Sequence, residues 1–249
     1  MRHYLYLYGL CGRYRTDVLI AGGARQGVLI YMTISEAERV GVIVERLRAA
    51  YPDATCSLHF QTPLQLLVAT ILSAQCTDER VNVVTPALFQ TYPTAEAFAS
   101  APSEELEAAI KPTGFYRNKA KHIQAACRLI ADHHGGEVPR AMDDLIALPG
   151  VARKTANVVM GNAYATVEGV VVDTHGGRVS RRLGLTASDD PVRVEADLMA
   201  ALPPAEWLDY AHRVIAHGRV VCKARLAECA VCVLNDICPS STVQSPSQS

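Results

Sequence analysis

The chain has 249 residues, 49% of them hydrophobic, and a formal net charge of -1. That length can bury a full core, as one large domain or two small ones. The near-neutral charge excludes a uniformly basic nucleic-acid binder, so any contact with a polyanion must come from a local patch. No apolar run approaches the stretch of about eighteen residues that spans a bilayer.

In chain order, 1–33 shows no clear period: Tyr4-Leu5-Tyr6-Leu7-Tyr8 is followed by sequence broken by Gly and Arg. Arg2 ahead of a short apolar stretch admits a signal peptide, but no small-residue cleavage site follows, and a poorly structured extension is expected. Ser35 with Glu38 makes a capping box, followed by apolar Val40, Val42, Ile43, Val44 and Leu47 on a first helix. Thr62-Pro63 opens a second helix with Leu64, Leu66, Leu67, Ile71 and Leu72. Further helices are expected over 78–91, 94–99, 103–110, 116–134, 142–148, 153–164, 174–183, 191–201 and 205–218. Pro52, Pro93, Pro102, Pro112, Pro139 and Pro149 punctuate the connections. Val170-Val171-Val172 is the only strand-like run, and it is too short to support a sheet. The expected class is all-α, with a disordered tail over 240–249, rich in Ser, Gln and Pro.

The most informative stretch is Leu148-Pro149-Gly150-Val151-Ala152-Arg153-Lys154-Thr155-Ala156, with Asp173 downstream in Val172-Asp173-Thr174-His175. A Pro-Gly turn between two helices brings backbone N–H groups, a lysine and a helix start to one place. Helix N-termini attract phosphate, because their first N–H groups lack partners and the dipole there is positive. Positive surroundings also favour the neutral, nucleophilic form of an amine. A phosphate anchor beside such an amine points to covalent chemistry on a nucleic acid. The bland readings are a surface lysine at 154 and a helix N-cap at Asp173. Basic residues gather late, at Arg178, Arg181, Arg182, Arg213, Arg219, Lys223 and Arg225, with acidic residues among them, so part of the group is expected to be solvated surface.

Four of the eight cysteines, Cys222, Cys229, Cys232 and Cys238, form a C-x6-C-x2-C-x5-C array. Disulfides need an oxidising compartment that nothing here supports. Structural zinc accepts four cysteines but usually shows two C-x2-C knuckles, whereas a [4Fe–4S] cluster fits the compact spacing better. Cys11, Cys56, Cys76 and Cys127 are scattered without pairing logic and read as small buried hydrophobes.

Together, the hairpin, Val172-Asp173-Thr174-His175 and the cysteine array resemble endonuclease III, a bifunctional DNA glycosylase and abasic-site lyase of the helix-hairpin-helix superfamily. Ile71-Leu72-Ser73-Ala74-Gln75-Cys76-Thr77-Asp78, Gly114-Phe115-Tyr116-Arg117-Asn118-Lys119-Ala120 and His217-Gly218-Arg219 resemble further family segments. The resemblance covers about Ile34 to Pro239. It implies two helical domains flanking a DNA-binding cleft. One is a six-helix barrel over 56–166, with its helix-hairpin-helix at about 142–161. The other is a discontinuous iron–sulfur domain over 34–55 and 167–239.

The resemblance makes Lys154 the Schiff-base nucleophile and Asp173 the catalytic carboxylate. Gln75 would enter the duplex in place of the flipped base, and Phe115 stands where an apolar wedge is expected, against a competing core reading. Gly150, Ala152, Arg153, His175, Lys223 and Arg225 complete the DNA-binding set, and the four array cysteines would hold a [4Fe–4S] cluster. The implied activity is removal of oxidised pyrimidines from damaged double-stranded DNA, then 3′ cleavage of the abasic site by β-elimination. A monomer in the cytoplasm, nucleoid-associated if bacterial, with no membrane partner, completes the expectation. Adenine glycosylases share the hairpin, aspartate and cysteines. They lack a lysine at the position of Lys154 and carry a further C-terminal domain, whereas this sequence stops soon after Cys238.

Two departures from the family pattern matter. Ala152 stands at a usually glycine position, so a need for positive φ there would weaken DNA binding. Gly176-Gly177 replaces at least one bulky apolar residue, and two glycines in a first turn, at about 1 kcal/mol each, would loosen the peptide carrying Asp173. The alternative reading is therefore a weakened or non-catalytic iron–sulfur helix-hairpin-helix DNA-binding protein.

Overall fold

The computed structural model describes Arg15–Val18, Ile30–Thr33 and residues 35–243; the rest of the expected extension and the tail beyond Val243 lie outside the described residues. Two short strands, β1 (Arg15–Val18) and β2 (Ile30–Thr33), pair antiparallel, Arg15 opposite Thr33 and Val18 opposite Ile30. A poorly structured extension was the expectation here. The β-branched and aromatic residues Val18, Ile30, Tyr31 and Thr33 favour extended backbone.

Helices follow in the expected order: α1 (Glu36–Ala50), α2 (Pro63–Leu72), α3 (Asp78–Thr91), α4 (Ala95–Ser100), α5 (Ser103–Ile110), α6 (Tyr116–His133), α7 (Met142–Ile146), α8 (Arg153–Tyr164), α9 (Thr174–Arg182), α10 (Pro191–Ala201) and α11 (Trp207–Val220). The fold is all-α apart from the ribbon. Their starts are chemically explicit. Ser35 Oγ accepts the Glu38 N–H at 3.2 Å while Glu38 Oε2 accepts the Ser35 N–H at 2.7 Å, closing the capping box. Thr62 caps α2 through the Gln65 N–H, with Pro63 at the first helical position.

The chain divides into two compact units, Met1–Thr55 with Val172–Ser249, and Cys56–Val171. In the second, α2 is apolar on every side, and Leu64 with every residue from Leu66 to Leu72 is buried; such a helix must sit in the middle of its neighbours. It packs against α3, α6 and α8, while α4 and α5 lie on α6 and α7 on α8. The unit runs to Val171 rather than to residue 166, because Val170 and Val171 are buried and belong to a compact body, not a linker. In the first unit, α11 packs on α1 and α9. Arg39 on α1 is buried there, paired with Glu36 and donating to the Leu183 carbonyl at 2.7 Å. Tyr210 and Ser180 share a buried hydroxyl–hydroxyl hydrogen bond of 2.9 Å between α11 and α9.

Candidate functional site

Within Cys56–Val171, Leu148 and Val151 are buried anchors on either side of Pro149-Gly150, and the Val151 N–H donates to the Leu148 carbonyl at 3.1 Å. Gly150 has φ +79°. Proline then left-handed glycine inside a closed four-residue turn is the type II pattern. A methyl group at 150 would also lie 2.8 Å from His122 Cβ, so glycine is required for space as well as for φ. Ala152 does not need to be glycine: at φ -88°, ψ 168° it is an ordinary extended N-cap. The positive φ falls two residues earlier, which corrects the expectation that Ala152 weakens this hairpin. Alanine has no side chain to cap α8, so no side-chain acceptor covers the first turn, in which Arg153 and Lys154 are exposed. Lys154 is the second residue of the helix.

Gln75 and Phe115 share an unusual backbone. Among the described residues, three that are not glycine have positive φ: Gln75 (53°), Phe115 (47°) and Ala165 (52°). Left-handed backbone costs a non-glycine residue about 1–2 kcal/mol and tends to persist where function requires it. Phe115 is 64% exposed, which removes its core reading. Gln75 is exposed as well.

In the other unit, Asp173 is half-buried and caps α9, its Oδ1 accepting the Gly176 N–H at 2.6 Å. The bland cap reading is thus literally true, and it orients the carboxylate. Gly176 and Gly177 both lie in the first turn of a continuous helix. His175 is half-buried, its Nδ1 3.2 Å from Arg178 Nη2. Lys223 and Arg225 are exposed, and Lys223 pairs with Glu228 at 2.5 Å, a surface pair of small energetic weight.

The four array cysteines line one cavity of about 260 Å³, together with Val179, Leu183, Val221 and Leu226. Among the described residues, no three Cys, His, Asp or Glu side chains group tightly enough to hold a single metal ion. Donors converge on the sulfurs. Arg182 Nη1 reaches Cys222 Sγ at 3.3 Å, and the Leu234 N–H reaches Cys232 Sγ at 3.4 Å. His217 Nε2 lies 3.5 Å from Cys232 Sγ, with its Nδ1 2.9 Å from the Tyr51 hydroxyl. Hydrogen bonds from Thr242 hold the Cys229 thiol below its ordinary pKa, while burial pushes Cys232 and Cys238 up and His217 down to about 4.

Thr242 also corrects the expected tail. Ser240, Ser241 and Thr242 line the cavity, and Thr242 hydrogen-bonds the Cys229 thiol. Of the late basic residues, Arg181, Arg219, Lys223 and Arg225 are exposed, in line with the solvated-surface expectation, while Arg178, Arg182 and Arg213 turn inward. Arg178 donates to the Gly218 and Cys222 carbonyls, Arg182 to those of Lys223 and Ala224, and Arg213 is buried against Glu206 and Asp209. The missed signal was spacing: Arg178 and Arg182 are four apart, hence on one face of α9. Of the other cysteines, Cys127 is buried and Cys56 and Cys76 half-buried against the core, all as free thiols; Cys11 lies outside the described residues. No helix among the described residues is long and apolar enough to cross a membrane.

A type II turn feeding an uncapped, lysine-bearing helix inside an all-helical unit defines a class. The family model for the HhH-GPD superfamily of base excision DNA repair proteins matches residues 68–204. The chain is 55% identical to the endonuclease III of Synechocystis sp. over 213 residues, 86% of this chain and 97% of that protein. It is 46% identical to the endonuclease III of Bacillus subtilis over 202 residues, 81% of this chain and 92% of that protein. A solved structure of a trapped endonuclease III–DNA covalent intermediate, an estranged-adenine complex, matches with a TM-score of 0.78 at 43% identity, covering 83% of this chain and 97% of that one. The chain belongs to the endonuclease III family. It acts as a DNA glycosylase and abasic-site lyase in base excision repair.

Proposed function

We propose that this chain removes oxidised pyrimidines from damaged duplex DNA through a Schiff base on Lys154, and that it works as a monomer in the cytoplasm. The observation that carries the residue assignment is the exposed Lys154 amine at the uncapped start of α8, directly behind the Gly150 turn. The turn and first helical N–H groups bind a phosphate beside the lesion, with Arg153 adding charge. The neutral Nζ attacks C1′ of the damaged nucleotide. The C1′–N bond to the base breaks, and the departing base takes up a proton. Ring opening gives an iminium between Nζ and C1′; loss of a C2′ proton then expels the 3′ phosphate, breaking the C3′–O bond. Asp173 has Oδ1 committed to the Gly176 N–H, so Oδ2 is assigned to the positive charge that develops on the sugar. Gln75 fills the space left by the flipped base and pairs with the orphaned partner, and Phe115 stacks as a wedge. His175, Lys223 and Arg225 are assigned to backbone contacts, and Ala152 contributes through its main chain.

The four cysteines fit a [4Fe–4S] cluster better than zinc. They surround a common cavity without grouping on one ion position, and N–H donors point at Cys222 and Cys232, as thiolate ligands require. Held by Cys222, Cys229, Cys232 and Cys238, a cluster would supply a structural cross-link shaping the loop that carries Lys223 and Arg225. The domain assignment follows: a barrel domain carrying the hairpin over Cys56–Val171 and a cluster domain in the other unit.

Borohydride reduction during incubation with thymine-glycol or abasic duplexes tests the mechanism. A covalent adduct should form with the parent, vanish in Lys154→Ala, and form at least 100-fold more slowly in Asp173→Asn on the intact-base substrate, on the order expected for a lost charge-stabilising group. Undiminished adduct in Lys154→Ala refutes the assignment. Equal amounts of iron and acid-labile sulfide, with a broad visible absorbance, are expected from the purified protein; zinc alone refutes the cluster.

A further inference from the structure

Lys119 belongs to the first turns of α6, where a lysine would ordinarily reach into water, yet it is only 4% exposed. Its Nζ donates to the Leu72 carbonyl at 2.8 Å and to the Thr113 carbonyl at 2.8 Å. Its own backbone N–H donates to the Phe115 carbonyl at 3.1 Å. Leu72 is the last residue of α2, three before Gln75. Thr113 closes a short 3-10 turn, two before Phe115. One ammonium group therefore ties together the roots of two loops, and the exposed tips of those loops are the left-handed residues Gln75 and Phe115.

The arrangement is costly for its size. Burial pulls the Lys119 pKa below its ordinary value, and its partners are neutral carbonyls rather than a carboxylate in contact. A buried charge is seldom the most stable filling for a site; an apolar side chain of similar length often does as well. Here an apolar chain would strand two carbonyls, one of them an end carbonyl of α2 that the helix itself cannot satisfy. What the ammonium adds is geometric. Its three donors radiate from one atom, so they set the distance between two chain segments forty residues apart, and charge-assisted bonds hold that distance stiffly. Two inserting side chains act together on one base step only if their spacing is kept.

We infer that Lys119 is a positioning residue that holds the Gln75 and Phe115 loops in fixed register, so that both side chains enter the duplex as a pair. This rests on the reading of Gln75 and Phe115 as inserting residues. The first requirement is that neutral variants loosen both loops together and little else. Hydrogen exchange on Lys119→Met and Lys119→Gln should show lost protection around 73–77 and 113–117, with α7 and α8 unchanged. If both variants lose protection throughout Cys56–Val171, the lysine is a general structural element and the inference is overturned.

The second requirement is functional. The variants are compared on a duplex with thymine glycol beside 2-aminopurine, whose fluorescence rises on unstacking, and on a single-stranded abasic oligonucleotide that needs no insertion. We expect about a ten-fold loss of kcat/KM and of the fluorescence rise on the duplex, and a change within about two-fold on the single strand. Equal losses on both substrates, or no loss on the duplex, overturn the inference. Gln75→Ala and Phe115→Ala in the same assay separate the two readings. If they leave the fluorescence rise intact, the insertion reading itself fails. If they abolish it while Lys119→Met does not, only the role of Lys119 falls.

Discussion

At position 150 two constraints act on one missing methyl group. Gly150→Ala must hold φ near +79° and bring its Cβ to 2.8 Å from His122 Cβ. Because a Cβ cannot rotate away, either the turn or α6 has to move. Left-handed strain and overpacking together are expected to cost about 2–4 kcal/mol, and the displaced turn would weaken binding to an abasic-analogue duplex. Denaturant unfolding and a binding titration check this; unchanged midpoint and affinity would show that neither constraint operates. The requirement at Gly150 was legible, since Pro-Gly between buried apolar residues specifies a turn type. The error at Ala152 came from assigning the left-handed residue to the helix N-cap, a position that prefers extended backbone. Lys119 was not legible at all. Its burial comes from two loops distant in sequence meeting over it, and a lysine in a helix pattern carries no trace of that.

The helices were readable because their ends carry their own chemistry. Ser35 with Glu38, Thr62 with Pro63, and the prolines between helices specify starts and stops without reference to the rest of the fold. What α9 packs against was not readable, and there glycines carry opposite meanings. A Cβ at Gly177 would meet only Val172 Cγ1, at an ordinary 3.5 Å, so Gly177→Ala should gain close to the full helix-propensity difference, about 1 kcal/mol. A Cβ at Gly218 on α11 would come within 3.1 Å of both His175 Cβ and Val179 Cγ2 and 3.2 Å of Arg178 Nη2. Three atoms of α9 would have to retreat at once, displacing the arginine that caps the end of α11. Gly218→Ala should therefore destabilise by about 1–2 kcal/mol despite its better propensity. Thermal melts should shift in opposite directions, by roughly 2–4 °C per kcal/mol in a chain of this size. A stabilised Gly218→Ala would show that α9 and α11 have slack. An unchanged Gly177→Ala would show that glycine at 177 costs the helix nothing, and the expected looseness around Asp173 would lose that part of its physical basis.

At the scale of the whole chain, stability is divided as the units are. The large apolar cluster from Leu58 to Met160 lies entirely within Cys56–Val171. Around the cysteine cavity, by contrast, the chain from Cys222 to Thr242 is held by its own short turns and by a few longer-range bonds: Arg182 to the Lys223 and Ala224 carbonyls, Arg46 to Asp236 and the Val233 carbonyl, and Thr242 to Cys229. Leu234 and Ile237 are its buried hydrophobic anchors. Backbone entropy costs such a segment about 1–2 kcal/mol per ordered residue, and the proposed cluster, held by the four cysteines, would contribute much of its order. Oxidative removal of iron in the presence of chelator should therefore abolish amide protection across 222–241 and leave the slow-exchanging amides of α2, α6 and α8 protected. Arg182→Met, which deletes the donors to the Cys222 sulfur and two loop carbonyls, should speed iron loss several-fold, because hydrogen bonds to a ligating sulfur orient it and strengthen its hold on the metal. If iron removal instead unfolds α2 and α8 along with the cysteine segment, the two units share one cooperative stability and the division drawn here fails. If the segment keeps its protection without iron, the cluster is not what orders it.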